Sequence, residues 1–340
     1  MSLHEVKVIR IAQIDKHPDA DSLEVVHVWG YTSCARIGDF HVGDLAAFVE
    51  PDTMVPVAQP EFAFLADQAT DGMKRISAKR LRGVQSFGLL IKARPHWKEG
   101  DEVMAELGCT HWEPPPSGDG LDAPAPKVDA VHYDVESMRR FSEIIKPGEL
   151  VEISEKINGE NSRYVFADGE LHAGSHTRWK IRDPRVAWWR AAEELGLEAK
   201  LALYSDHVHY GELYGSVKGY HYGIDRSKFG LRLAFYDIRY RGEWLPPDDE
   251  RAIFSELALP VAPILYRGPW DPGLASLADG PSMIHGADNI REGCVVKPLV
   301  PRRHEECGRV ILKLVSVDYL ERKKKGKQAN CERNTGAANG

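Results

Sequence analysis

Short runs of alternating or β-branched residues fill the first hundred positions: EVKVIRIAQID, SLEVVHVWG, SCARI, LAAFVE and GVQSFGLLIKA. Turn signals such as HPDAD, GD and VGD separate them, so the pattern predicts a succession of short strands. Such strands suit a small barrel. An OB-fold is the common five-stranded solution, with an SH3-like barrel as the other. Residues 108–130, GCTHWEPPPSGDGLDAPAPKVDA, are rich in proline and glycine and show no periodicity. That is a linker composition and marks a domain boundary.

Beyond the linker the periods mix. VESMRRFSEII reads as a short helix and GELVEISEKI as a strand. SRYVFADGELHAGS reads as a hairpin, because Asp168-Gly169 tolerates positive φ between two alternating runs. In DPRVAWWRAAEELGLEAKL, Val186, Trp189, Ala192 and Leu195 share one helical face, with Pro184 near the start. Trp188 and Trp189 read as core or groove packing rather than a base-stacking platform. Further strands are expected at HYGELYG, LRLAFYDIRY, EGCVVKP and RVILKLVS, and a helix near PDDERAIFSELAL. The expected architecture is an all-β OB-fold barrel over 1–107, a linker over 108–130, and an α+β domain on antiparallel sheets over 131–322. A basic, disordered tail over 323–340 completes it. No internal repeat is visible.

Composition narrows the class. With 43% hydrophobic and 28% charged residues in 340, the chain reads as soluble and globular. No window nears the roughly 18 consecutive apolar residues of a membrane span. The opening MSLHEVKVIRIAQID enters strand-like alternation without a signal-peptide pattern, so the expected setting is cytoplasmic, with no membrane partner. Cys34, Cys109, Cys294, Cys307 and Cys331 are odd in number and scattered, fitting neither a disulfide framework nor a zinc site. A net charge of −7 gives no global pull toward nucleic acid, so such binding must rest on local patches. Two exist, KRISAKRLRG (74–83) and ERKKKGK (321–327). Taken alone, each is more simply a solvated charge run.

The candidate chemistry lies in SEKINGENSR, residues 154–163. A lysine amine has a pKa of about 10.4, so nucleophilic work by Lys156 needs a neighbouring cation, a metal or desolvation to displace the proton. Asn158-Gly159 supplies the backbone freedom that close approach to a nucleotide requires. In isolation, K-x-[DN]-G is more often an exposed turn. Here GELYG (211–215), FYDI (235–238), REGCVVKP (291–298) and RVILKLVS (309–316) follow it on predicted strands. Glu212 and Glu292 suit a hydrated Mg²⁺ or ribose hydroxyls. Tyr236 or Phe235 offers a face for a purine and Val295 an opposite wall, while Lys297 and Lys313 suit phosphate charge. Each has a bland reading as a surface charge or core aromatic, but the ordered set does not.

This order of motifs resembles the covalent nucleotidyltransferases, the superfamily of ATP-dependent ligases and GTP-dependent capping enzymes. The residue five after the lysine is Asn161, as in RNA ligases similar to the phage T4 nick-sealing enzyme, where DNA ligases and capping enzymes usually carry arginine. HPDADSLEVVHVWGYTSCARIGDFHVGDLAAFVEPDTMVP and AKRLRGVQSFGLL resemble the N-terminal OB domain of the Deinococcus-type RNA ligases. The resemblance runs from about residue 6 to about 322.

The resemblance implies an ATP-dependent RNA ligase that seals 3′-OH/5′-phosphate nicks. AMP would pass through Lys156 to the 5′-phosphate, with Mg²⁺ or Mn²⁺ as cofactor. Glu155, Ile157, Gly159, Asn161, Glu212, Phe235 or Tyr236, Glu292, Val295, Lys297 and Lys313 would bind the nucleotide. Glu212 and Glu292 would hold the metal, through water. Lys79, Arg80 and Arg82 would track nucleic acid. The implied partner is nicked duplex RNA or an RNA/DNA hybrid with an RNA 3′-OH end, and the implied state is a monomer. Three departures stand out. Asn158 takes a position usually held by Asp or His. Either His176 or Arg178 fills the place of the family's phosphate-contacting arginine. Val315 replaces a second lysine, leaving Lys313 alone. The alternatives are a DNA ligase or capping-type enzyme, disfavoured by Asn161, and a non-catalytic OB-type tRNA- or RNA-binding protein, disfavoured by the full set of charged motif residues. No G-x-x-x-x-G-K-[ST] occurs, which excludes a P-loop NTPase.

Overall fold

The computed structural model describes residues 4–112, 121–215, 220–224 and 230–321. The expected tail over 323–340 and the middle of the expected linker, 113–120, lie outside the described residues. The described chain forms two compact units. One holds 4–112, 138–142 and 320–321; the other holds 121–137, 143–215, 220–224 and 230–319.

In the first unit the expected strands are present but shorter and more numerous. Val6–Arg10, Leu45–Val49 and Leu89–Lys92 form one antiparallel sheet, and Gln13–Lys16, Leu23–Val28 and Tyr31–Arg36 another. GVQSFGLLIKA divides into Val84–Ser86 and Leu89–Lys92 at Gly88. There φ is +67°, and a β-carbon would lie 2.5 Å from the Val49 carbonyl oxygen. Alternating residues such as Val6, Val8, Ala47 and Val49 bury one face, and Val26, Val28, Phe48 and Phe87 another.

VESMRRFSEII is not a helix. Glu136–Ser137 is a strand and turns follow it. Arg140 is buried and pairs with Glu5 and with Glu50 (2.7 Å), while the Arg139 carbonyl accepts from Gly30 N–H. These distant partners replace the local bonds a helix would make. The ends of the expected linker are also structured. Thr110–His111 pairs with Thr53–Met54, and Asp122–Ala123 pairs with Trp179–Lys180.

The second unit contains a seven-stranded antiparallel sheet and a five-stranded sheet. In the larger, Glu160–Ala167 and Glu170–Gly174 form the expected hairpin, with Asp168 at φ +52° and Gly169 at +85°. Glu160–Ala167 also pairs with Val208–Gly215, and that strand with Leu231–Tyr240. In the smaller, Leu150–Lys156 lies between Ile264–Pro269 and Gly293–Pro298, and Leu312–Val315 pairs on the far side of the latter. The expected long helix is two, Ala187–Leu195 and Leu197–Leu201. Gly196 breaks it in the left-handed conformation, its N–H bonding the Ala192 and Glu193 carbonyls. Trp188 and Trp189 are buried, as their spacing suggested.

One core histidine makes stability depend on pH. His209 is fully buried; its Nδ1–H donates to the His207 carbonyl (2.9 Å) and its Nε2 has no partner among the described residues. Burial pulls its pKa down to about 3. The unfolded chain takes up a proton below about 6.5 and the folded chain does not. The contribution is therefore fully present above pH 6.5 and is lost on acidification at about 1.4 kcal/mol per pH unit. Urea midpoints measured between pH 7 and 5 should fall in the wild type, and His209→Gln should flatten that slope by about one proton's worth.

Candidate active site

Lys156 is the last residue of the strand Leu150–Lys156, where the chain leaves the sheet to turn through Asn158-Gly159 into the next strand. At Gly159 a β-carbon would lie 2.2 Å from the Leu213 carbonyl oxygen and 3.1 Å from Glu212 Cγ. Only glycine brings the turn this close to Glu212, whose Oε1 accepts from Gly159 N–H (3.0 Å). Glu212 in turn faces Asn161 across the ladder.

The Lys156 ammonium sits 2.9 Å from Glu292 Oε1. Glu292 Oε2 accepts from the Asn158 side-chain amide (3.0 Å), which also donates to the Tyr319 hydroxyl (2.9 Å). Asn158 Oδ1 accepts from Tyr220 N–H (3.2 Å), and its own N–H donates to the Tyr222 hydroxyl (2.6 Å). With a carboxylate on one side and a backbone N–H on the other, only this amide orientation satisfies both. Asn158 thus ties Glu292 to the lysine turn, a bond an aspartate could not donate. Tyr222 and Tyr319 were not among the sequence candidates, although Tyr319 follows RVILKLVS by only three residues.

Burial alone would lower the Lys156 pKa, but Glu292 and Glu212 more than offset it and hold it above its ordinary value. Burial pushes Glu212 up to about 8, with Lys156 pulling down and Glu292 pushing up. Lys156 is therefore an ammonium at neutral pH in this state.

Asn161 Nδ2 donates to the Tyr236 hydroxyl (2.6 Å), while Asn161 Oδ1 is buried with no partner among the described residues. The two aromatic candidates separate sharply. Phe235 is fully buried against Tyr164 and Phe254, facing away from this cluster. A β-bulge does this: Tyr210 pairs with Asp237 and Gly211 with Phe235, so Tyr236 is the extra residue. Leu231, Leu233, Phe235 and Ile238 point into the core, the step of three marking the break in alternation.

Other candidates lie at different distances. The pairing register sets Lys156 opposite Gly293, and Ser154 opposite Val295, which is opposite Lys313. Val295 and Lys313 therefore occupy the neighbouring row on the lysine's face of the sheet. The Glu155 side chain points to the other face, accepting from Ser282 Oγ and Met283 N–H (both 2.6 Å). Ile157 is packed against Tyr214 and Tyr222, so of these two residues the main chain, not the side chain, adjoins the site. His176 is 3.6 Å from Asp134, and Arg178 is 3.4 Å from Asp122; neither is joined to Lys156. Lys297 pairs with Glu152, well back along the strand, and is engaged by Glu250. In the first unit, Lys79 and Arg80 are exposed on the strand Lys79–Leu81, Arg82 follows at its turn, and Arg80 pairs with Glu321.

Among known proteins, residues 149–315 match the RNA ligase family, and residues 5–93 match an OB-fold domain. An RNA ligase domain thus follows an OB-fold domain in this chain. Its OB-fold precedes an antiparallel-sheet ligase domain, the fold class expected from the sequence. A structure of Naegleria gruberi RNA ligase with PPi is 25% identical, with a TM-score of 0.80, covering 96% of this chain and 99% of that one. An apo mutant of the same ligase is 24% identical at a TM-score of 0.81, covering 96% and 100%. A mutant with ATP and Mn is 23% identical at 0.79, covering 93% and 98%. The phenylalanine–tRNA ligase beta subunit of Leptospira interrogans is 33% identical over 118 residues, which is 31% of this chain and only 13% of that protein. No helix among the described residues is long and apolar enough to cross a membrane.

The donor set suits a hard cation. Among the described residues no cluster of three or more His, Cys, Asp or Glu forms a complete cage. Glu212 and Glu292 beside the unpartnered oxygen of Asn161 fit an ion that keeps most of its waters, as Mg²⁺ does.

Proposed function

We propose that this RNA ligase uses ATP to seal 3′-OH/5′-phosphate nicks, with Lys156 as the adenylylated nucleophile and a preference for an RNA 3′-OH end. The observation that carries the reading is the pairing of Lys156 with Glu292 at a strand end closed by Asn158-Gly159, whose Gly159 N–H is held by Glu212. Structures of the Naegleria ligase with ATP and Mn, and with AMP and Mn, support the choice of nucleotide and metal.

In this reading the Lys156 amine attacks the α-phosphorus. The ammonium first gives one proton to solvent; the amine lone pair then forms the P–N bond as the bond to the pyrophosphate oxygen breaks with its electron pair, and a second proton leaves the nitrogen for solvent. Glu212 and Glu292 would hold Mg²⁺ or Mn²⁺ through water, and its positive charge would offset the two carboxylates and the phosphate oxygens. Lys156 then keeps only the desolvation that favours its neutral form. Tyr236, aimed by its bulge and held by Asn161, stacks on the adenine, and Val295 lines the other face. The main chain at Glu155 and Ile157 borders the base, and Lys313 takes phosphate oxygens. AMP then passes to the 5′-phosphate of the break, and the 3′-OH displaces it. Lys79, Arg80 and Arg82 track the backbone, Arg80 only when its bond to Glu321 opens. The four described cysteines are all free, which suits a reducing cytoplasm.

The end preference is tested with nicked duplexes that differ in one nucleotide. A single ribose at the 3′-OH side should raise the sealing rate at least about tenfold over deoxyribose, since the site would use the 2′-OH as a contact. Equal rates on both would remove the RNA-end preference and favour the DNA ligase alternative.

A further inference from the structure

Lys297 closes the E-G-x-V-x-K motif and was expected to hold phosphate oxygens. Its surroundings point elsewhere. The register places Lys297 opposite Glu152, four residues before Lys156 and so about 13 Å back along the strand at ~3.3 Å per residue. Its ammonium donates to Glu250 Oε2 (2.6 Å) and to the Tyr236 carbonyl (3.0 Å), and lies 3.7 Å from Asp237 Oδ1. Two of the three N–H bonds of the lysine are engaged in this way, and the Asp237 carboxylate supplies an ion-pair partner beside them. Lys297, Glu250 and Asp237 are all buried.

The cluster grips the bulge from several sides. Asp237 Oδ2 accepts from Arg309 Nη2 and from the Tyr133 hydroxyl (both 2.6 Å). Arg309 lies over the Trp244 ring (3.7 Å), and the Tyr133 ring is 4.8 Å from that of Tyr236. Glu250 Oε1 accepts from Ile238 N–H (3.3 Å). Tyr236, the bulged residue, is the one the pairing with Val208–Gly215 leaves out, and the Lys297 ammonium takes its carbonyl. Burial would raise the Asp237 pKa, yet Arg309 and Lys297 keep it ionised; burial and Asp237 push Glu250 up.

We infer that Lys297 is a positioning residue: it caps the bulge that aims Tyr236 at the purine and balances the buried Asp237–Glu250 pair, without touching phosphate. The inference rests on the ligase reading only in taking Tyr236 as the purine platform.

A phosphate-free probe separates the two roles. Adenosine is measured as an inhibitor of Lys156 labelling by ATP, beside the half-saturating ATP concentration, in wild type, Lys297→Met, Glu250→Gln and the double variant Lys297→Met/Glu250→Leu. For a positioning residue, Lys297→Met weakens adenosine and ATP by the same factor, on the order of ten to a hundred. The double variant, in which the Tyr236 carbonyl lacks its donor and Ile238 N–H its acceptor, stays at least as weak toward adenosine as Lys297→Met. Should Lys297→Met not fold, Glu250→Gln alone should still weaken adenosine. The inference is overturned if Lys297→Met weakens ATP but leaves adenosine unchanged, and also if Glu250→Gln leaves adenosine binding intact. A wild type that takes no label overturns the ligase reading itself, and this inference with it.

Discussion

Lys156→Ala should abolish covalent AMP labelling, by at least about a thousandfold, while leaving the fold unchanged. The residue is half-buried and its ion pair is with Glu292, so its loss removes a charge from the site without opening the core. The defect should be confined to the steps that use the amine. A nick supplied with an already adenylylated 5′ end needs only attack by the 3′-OH and departure of AMP. The variant should therefore still seal that substrate, within about tenfold of wild type, because the remaining groups that bind the adenylate are intact. Gel assays on ordinary and pre-adenylylated nicks check both halves. If Lys156→Ala were to label normally, the nucleophile would be another residue.

Gly159→Ala should be nearly as damaging, although it changes no chemical group. The added carbon would stand 2.2 Å from the Leu213 carbonyl oxygen, a backbone atom that cannot swing aside. Relief must come from moving the turn away from Glu212, which breaks the Gly159 N–H bond to that carboxylate and shifts Lys156 with it. Overpacking of this kind costs about 1–3 kcal/mol of stability. A displacement of about 1 Å at the reacting amine costs about a hundredfold in rate. Labelling at saturating ATP should fall by that order, while the urea midpoint drops only modestly. Wild-type rates in this variant would mean that the turn is not part of the reacting geometry.

The sequence was most readable where function forces particular residues onto strand ends. Lys156, Glu212, Glu292, Asn161 and Tyr236 were all candidates, and hydrogen bonds, ion pairs and ladder register bring them together. The choice between Phe235 and Tyr236 was not readable. Strict alternation assigns one of them to each face but cannot say which, and a bulge resets the alternation by one residue. The place of Lys297 was hidden for a related reason. Motif order preserves sequence, whereas distance from Lys156 depends on antiparallel register, which carries Lys297 away as the strand runs on. The helix expected over VESMRRFSEII failed because its partners are remote. Glu5, Gly30 and Glu50 lie about a hundred residues away, and no local pattern announces them. In sequence Asn158 stood out only as a departure from the usual Asp or His. In space its side-chain amide joins Glu292, Tyr319 and Tyr220 and its backbone N–H joins Tyr222, and the three tyrosines lie beyond any local reading of the motif.

The most direct test of the central claim is to strip wild-type protein of bound AMP with pyrophosphate and incubate it with Mg²⁺ and ATP labelled at the α-phosphate. The product is then resolved under denaturing conditions and the labelled peptide mapped. The account predicts a label that survives denaturation, maps to the SEKINGENSR segment at Lys156, forms with ATP and not with GTP, and is released again by pyrophosphate. A stripped wild type that takes up no label, or that carries it on another residue, would contradict it.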